Sequence, residues 1–173
     1  MAKSRFKWLN AAFFQVTQML NIRKANPSDA HMISENNCAM AMETEGKVID
    51  PMQAALGVDG LFQHPDFGFY LVAEEAGESV ASLMVTYEWS DWRNGLIWWI
   101  QSVYVREPFR RRGIYRQMYA CLQQMAKASK IPVCGFRLYV ENENTSAQQT
   151  YRELGMKRCA YQIFEESWSA LDK

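Results

Sequence analysis

The apolar positions of the chain switch between a helical and a strand period, and the switches mark out its elements. Phe6, Leu9, Phe13, Val16 and Leu20 are spaced 3, 4, 3 and 4 residues apart, with Lys3, Arg5 and Lys7 at the start. That is one stripe of an amphipathic helix over residues 1–20. Its apolar stripe needs a partner: the rest of the chain, a second copy in a homodimer, or a membrane surface, to which basic and aromatic residues also suit it. Met19 as the true start of the protein would remove the question. "NIRKA" then reads as a short strand. Asn26-Pro27-Ser28-Asp29 supplies turn and N-cap chemistry for a helix reaching about Met42, and a second helix is predicted over Pro51–Leu61. "FGFYLVAEE", "SVASLMVTYEW" and "LIWWIQSVYV" are strand-like runs separated by Ala76-Gly77-Glu78 and by the turn "WRNG", which predicts an antiparallel meander.

After the meander the period changes again. Ile114, Met118, Leu122 and Met125 share one helical face, and Pro132 closes that segment. "VCGFRLYVE" is predicted as a strand, "NTSAQQTYRELG" as a helix ended by Gly155, and "MKRCAYQIFEE" as a last strand. The order β-α-α-β-β-β-α-β-α-β predicts an α/β protein of the α+β mixed kind, its mostly antiparallel sheet covered by helices on both faces. Residues 21–173 are expected to form a single domain behind the N-terminal helical extension 1–20.

Charge changes the picture locally. Lys plus Arg and Asp plus Glu both number 19 in the 173 residues, so no global basic field draws the chain to nucleic acid. From Ala25 to Trp92, however, twelve acids stand against Lys47 alone, a net charge of −11. From Arg93 onward the balance is +6. Cys38, Cys121, Cys134 and Cys159 form no C-x-x-C pair and lie far in sequence from His31 and His64, which predicts neither a metal site nor a disulfide framework. No apolar run approaches the roughly 20 residues of a membrane span, and a cytoplasmic location is expected from the free thiols.

The chemistry is concentrated in "VYVREPFRRRGIYRQMY", Val103 to Tyr119. A row of three arginines repels itself, and it reads either as an exposed, solvated loop or as a site that an anion faces. Here the row leads from a strand end into Gly113 and a helix N-terminus, whose first N–H groups lack intrahelical partners and carry the positive end of the helix dipole. Gly113 lets a phosphate approach the backbone that a side chain would shield. Neither a Rossmann nor a P-loop glycine pattern is present.

Arg110-Arg111-Arg112-Gly113-Ile114-Tyr115 resembles the R/Q-x-x-G-x-G/A motif of the GNAT superfamily of acyl-CoA-dependent N-acetyltransferases, except at Tyr115, where Gly or Ala is usual. A second stretch, "LYVENENTSAQQTYRELGM", resembles that family's later strand and helix signature, with Asn144 and the Tyr seven residues on, Tyr151, in the matching places. The resemblance covers about Asn21 to Glu166. It implies direct attack of a neutral amine on the thioester of acetyl-CoA, with no metal. The backbone of Val103, Tyr104 and Val105 would hold the pantetheine arm as an added strand. Arg110, Arg111, Arg112, Gly113, Ile114, Tyr115 and Arg116 would grip the pyrophosphate, and Asn144 and Tyr151 would complete the cofactor site. Tyr151 would protonate the leaving thiolate, and Asn144 also stands where a helix N-cap belongs.

The family's usual carboxylate is absent from "IWWIQSVYV", which leaves Glu43, Glu45, Glu88 or a water chain as the base for the acceptor amine. The acidic half and Trp89, Trp92, Trp98 and Trp99 point to a cationic small-molecule or peptide amine as acceptor, through Coulomb and cation–π attraction. The competing reading is an acyl-CoA-binding sensor or interaction module without turnover.

Overall fold

A computed structural model of the chain describes residues 20–166, so the helix predicted over 1–20 lies outside the described residues but for Leu20. The described residues fall into two compact units, one ending at Arg137 and one beginning at Leu138.

The first unit is built on a five-stranded sheet of order β1-β2-β3-β4-β5. β1 (Asn21–Lys24), β2 (Gly68–Glu75), β3 (Glu78–Ser90) and β4 (Gly95–Val105) are antiparallel neighbours. β5 (Val133–Arg137) joins parallel to β4 after the crossover helix α3 (Ile114–Lys127). Between β1 and β2 lie α1 (Ala30–Glu45) and α2 (Pro51–Gln63). Asn26 accepts from the Ser28 N–H while Asp29 accepts from the Asn26 N–H, a reciprocal cap that starts the first helical segment where the sequence placed it. Gly46, at φ 64°, ends α1 in the left-handed conformation that glycine adopts without Cβ strain.

Successive residues of a strand face opposite sides, and both sides of β2 are enclosed. Tyr70 and Val72 pack with Ile33 of α1 and Val58 of α2, with Met84 and Phe62 at the margin. Leu71 and Ala73, on the other face, are equally inaccessible, and α3 crosses β1 and β2 with Ile114, Met118 and Leu122 buried. The sheet is thus covered by helices on both faces, as its apolar runs predict. Enclosure pushes the Tyr70 phenol up to about 12. At the sheet edge Arg23 donates to Asp29 and Glu74 together, and its hydrogen bond holds the Asp29 carboxyl below the usual carboxylate range.

The second unit contains α4 (Thr145–Glu153), capped by the Asn144 side chain, which accepts from the Ala147 N–H at 3.0 Å, and closed by Gly155 at φ 87°. Two expectations are corrected. The strand predicted over 133–141 ends at Arg137. The strand predicted over 156–166 makes no ladder among the described residues, and its Tyr161, Ile163 and Phe164 are exposed. Alternation makes a segment able to enter a sheet, but the strand exists only where a partner supplies the hydrogen bonds.

Gly68 stands where β2 meets β3 most closely: a Cβ built there would lie 2.0 Å from the Val85 carbonyl oxygen. Backbone cannot yield as a side-chain tip does. Gly68→Ala is expected to destabilise the fold by about 1–3 kcal/mol through overpacking, read as a lower denaturant midpoint at unchanged m-value.

Candidate active site

The site begins with a fault in a ladder. Ser82 pairs with Tyr104 and Met84 with Gln101, so one residue of β3 is matched by Ser102 and Val103 of β4. Ser102 takes φ 49°, a left-handed backbone at a non-glycine residue. This is a β-bulge, and it moves the side-chain alternation of β4 by one position. Before it, Trp99 and Gln101 face the α1 side, where the Trp99 Nε1–H donates to Glu88 Oε2 and the Gln101 amide donates to Thr86 Oγ1, each at 2.5 Å. After it, Tyr104 takes that face and its hydroxyl donates to Glu43 Oε1 of α1 at 2.6 Å. Ser82, opposite Tyr104, accepts from the buried Asn36 amide of α1 at 2.9 Å. β4 also parts from its other neighbour here: the ladder with β5 stops at Trp99–Arg137, while that with β3 runs on to Val105.

From Val105 a 3-10 turn, Glu107–Phe109, leads into the arginine loop and α3. Arg111 at φ 62° and Gly113 at φ 73° are both left-handed. Gly113 is the N-cap of α3, makes no side-chain cap hydrogen bond, and has nothing within 4 Å of where a Cβ would be. The helix N-terminus is therefore approachable from outside by an anion. Tyr115 does not obstruct it: its ring packs along α3 against Tyr119, with centroids 6.3 Å apart. Ile114 turns into the core, and Arg116 is exposed on the first turn.

The three arginines do not act alike. Arg110 donates from Nε to the Val105 carbonyl at 2.8 Å and from Nη2 to Glu43 Oε2 at 2.6 Å, while its guanidinium lies 5.3 Å from the Tyr104 ring centroid. Arg112 pairs with the buried Glu75 at the end of β2 and lies over Phe109. Arg111 is exposed.

The three candidate carboxylates sit in different surroundings. Glu43 meets the loop and the bulged strand at once. The Tyr104 hydrogen bond, and after it that of Arg110, holds its carboxyl below the usual range. Glu88 lies further along the same face, accepting from Trp99 and from Arg137 of β5. Glu45 is exposed and pairs with Lys47 at 2.6 Å. In the second unit, burial pushes the Tyr151 phenol up from its ordinary value, so it is protonated throughout the neutral range.

The tryptophans do not form one wall. Trp98 belongs to an aromatic core cluster with Phe69, Tyr87 and Phe136, and Trp99 faces the other side of the sheet. Trp89 and Trp92 are exposed near the β3–β4 turn. Three features of the candidate site escaped the sequence reading: the Ser102 bulge, the Tyr104 hydroxyl contact and Arg137. An arginine inside the apolar run of β5 was the only signal, and it points to Arg137 alone.

The chain matches the acetyltransferase (GNAT) family over residues 19–156, and it belongs to that family of N-acetyltransferases. A possible acetyltransferase from Clostridium difficile 630 has the same fold, with a TM-score of 0.80 and 39% sequence identity over 87% of this chain and 99% of that one. A predicted acetyltransferase with acetyl-CoA from Clostridium acetobutylicum superposes with a TM-score of 0.70 at 17% identity, covering 86% of this chain and 96% of that one. Aminoglycoside N-acetyltransferase AAC(6')-Iy in complex with CoA does so at 0.68 and 16%, covering 87% and 95%. No curated protein sequence matches the chain significantly.

Because its folded pKa is depressed, the stabilisation Glu43 gains from Tyr104 and Arg110 is present above the unfolded value and is lost as pH falls through the lower folded one. A carbon-detected NMR titration is expected to give Glu43 a midpoint below that of an unperturbed glutamate, and Tyr104→Phe is expected to raise it.

Proposed function

We propose that the protein transfers an acetyl group from acetyl-CoA to a primary amine of a cationic small molecule or peptide, by direct attack of the neutral amine on the thioester. The observation that carries this reading is the uncapped, open N-terminus of α3 at Gly113, framed by Arg110, Arg111 and Arg112 directly after the bulged strand. An anion-binding helix end and a cationic loop fit the pyrophosphate of coenzyme A. Gly113, Ile114, Tyr115 and Arg116 would offer backbone N–H groups and Arg111 a guanidinium. The edge of β4 beyond Trp99, at Val103, Tyr104 and Val105, would receive the pantetheine amides as an added strand.

Tyr151 is assigned as the proton donor to the departing thiolate. Its raised pKa keeps the proton on the phenol, and transfer to a thiolate, whose conjugate acid titrates near 8.5, is uphill. The phenol therefore works as a hydrogen-bond donor to charge developing on sulfur, which is worth a large part of the barrier in a site that excludes water. Asn144, engaged with the Ala147 N–H, serves the site by starting the helix that carries Tyr151. A depressed Glu43 is a weak base, and Glu88 already accepts two hydrogen bonds. Their first task is to attract the ammonium group of the acceptor, whose proton leaves through water. The acidic surroundings of α1 and the β3 face favour cationic acceptors by Coulomb attraction.

Two measurements test the assignment. Gly113→Glu adds a side chain and a like charge where the phosphate would lie, and is expected to abolish acetyl-CoA binding by calorimetry. Gly113→Ala carries the same backbone cost without the charge and separates the two effects. Unchanged affinity in folded Gly113→Glu protein would remove the loop from the cosubstrate site. Tyr151→Phe keeps the ring and is expected to lower turnover about 10- to 1,000-fold with acetyl-CoA affinity and stability nearly unchanged. Undiminished turnover under chemistry-limited conditions would leave Tyr151 a packing residue.

A further inference from the structure

Arg110 stands first in the loop assigned to the pyrophosphate, yet it is clamped from the opposite side. Its Nη2 donates to Glu43 at 2.6 Å, its Nε to the Val105 carbonyl at 2.8 Å, and its guanidinium carbon lies 5.3 Å from the Tyr104 ring centroid. The Tyr104 hydroxyl fixes the other Glu43 oxygen at 2.6 Å. One guanidinium thus has two anionic claimants: a carboxylate of α1 and, on the reading above, a diphosphate. We infer that Glu43 is a shared counter-ion that links the two substrate sites, opposing cosubstrate binding at Arg110 and being released by it to receive the ammonium of the acceptor.

The inference rests on the proposed cosubstrate site and on thermodynamic reciprocity. A fixed negative charge within hydrogen-bond reach of Arg110 disfavours a second anion there, whether or not the Glu43–Arg110 contact breaks. By linkage the bound anion disfavours ionised Glu43 by the same factor, so cosubstrate binding makes Glu43 more basic and in need of a new cation. An ammonium answers that need where Asp or Glu neighbours have none to offer. The Tyr104 hydroxyl, on the other Glu43 oxygen, keeps the carboxylate at the strand edge while this happens. The pair is about 40% exposed on each side, at 38% for Arg110 and 41% for Glu43, so the effect belongs to the modest range of half-solvated ion pairs.

The test is a double-mutant cycle on the full chain, with coenzyme A as probe and affinity read by calorimetry at low ionic strength. Glu43→Gln is expected to bind coenzyme A roughly two- to fivefold more tightly than wild type, as the loss of one half-exposed pair allows. Arg110→Gln is expected to weaken binding, and in that background Glu43→Gln is expected to give a smaller gain than in wild type, because only direct repulsion of the anion is then relieved. Tyr104→Phe, which removes the hydroxyl that holds Glu43 beside Arg110 and keeps the ring, is expected to give a smaller gain in the same direction and serves if Glu43→Gln is poorly folded. Equal or weaker binding by Glu43→Gln and Tyr104→Phe, with Arg110→Gln still weakened, overturns the shared counter-ion and leaves the loop assignment intact. Full affinity in Arg110→Gln and Gly113→Glu alike would sink the cosubstrate site itself, and the inference with it.

Discussion

One residue too many in β4 governs what the rest of the site can do. Without the bulge at Ser102, strict alternation would carry the α1-facing positions from Trp99 and Gln101 to Val103, and Tyr104 would turn to the other face. With it, Tyr104 reaches Glu43 across from Ser82, and β4 bends as its ladder with β5 comes to an end at Trp99. The strain of a serine at φ 49° is held by ladder hydrogen bonds on both sides of the fault and by the buried Asn36–Ser82 contact behind it. The same fault delivers the chain into the arginine loop.

The loop shows how a row of like charges is made tolerable. Arg112 is tied to Glu75 at the end of β2, and Arg110 to Glu43 at the end of α1. Both acids come from the strongly negative first half of the chain and both arginines from the positive second half. The charge segregation along the sequence is thereby folded back on itself at the N-terminus of α3. The Arg110–Glu43 pair, half-exposed on both sides, contributes little to stability, and its consequence is placement. The two pairs hold cations ready at a helix end that is itself open and uncapped.

Behind this surface the sheet is an ordinary core. Leu71, Val72, Leu83 and Val85 are wholly enclosed, so both faces are needed and neither can drift. The aromatic cluster of Phe69, Tyr87, Trp98 and Phe136 takes up one tryptophan that the sequence would lend equally to a ligand wall. A rigid floor of this kind lets a few surface side chains be positioned to within hydrogen-bond tolerance.

Local rules read from the sequence located the elements and the open, glycine-started end of α3. The cap at Asn26 and Asp29, the Gly155 terminator, the helical stripe from Ile114 to Leu122 and the glycine at the end of the arginine run all act within a few residues of themselves. Period and capping chemistry are properties of a short segment, so the chain alone determined them, together with a helix-covered mixed sheet. The tertiary structure decided what depends on partners distant in sequence. It ended β5 at Arg137 and gave residues 156–166 no ladder among the described residues, because alternation supplies no hydrogen-bonding neighbour. It decided that Trp98 is the one that joins the aromatic cluster and Trp99 the one that meets Glu88, and it brought Glu43 to Arg110, 67 residues away. No local pattern announces a bulge at a serine, and a one-residue change of register reverses which side chains share a face.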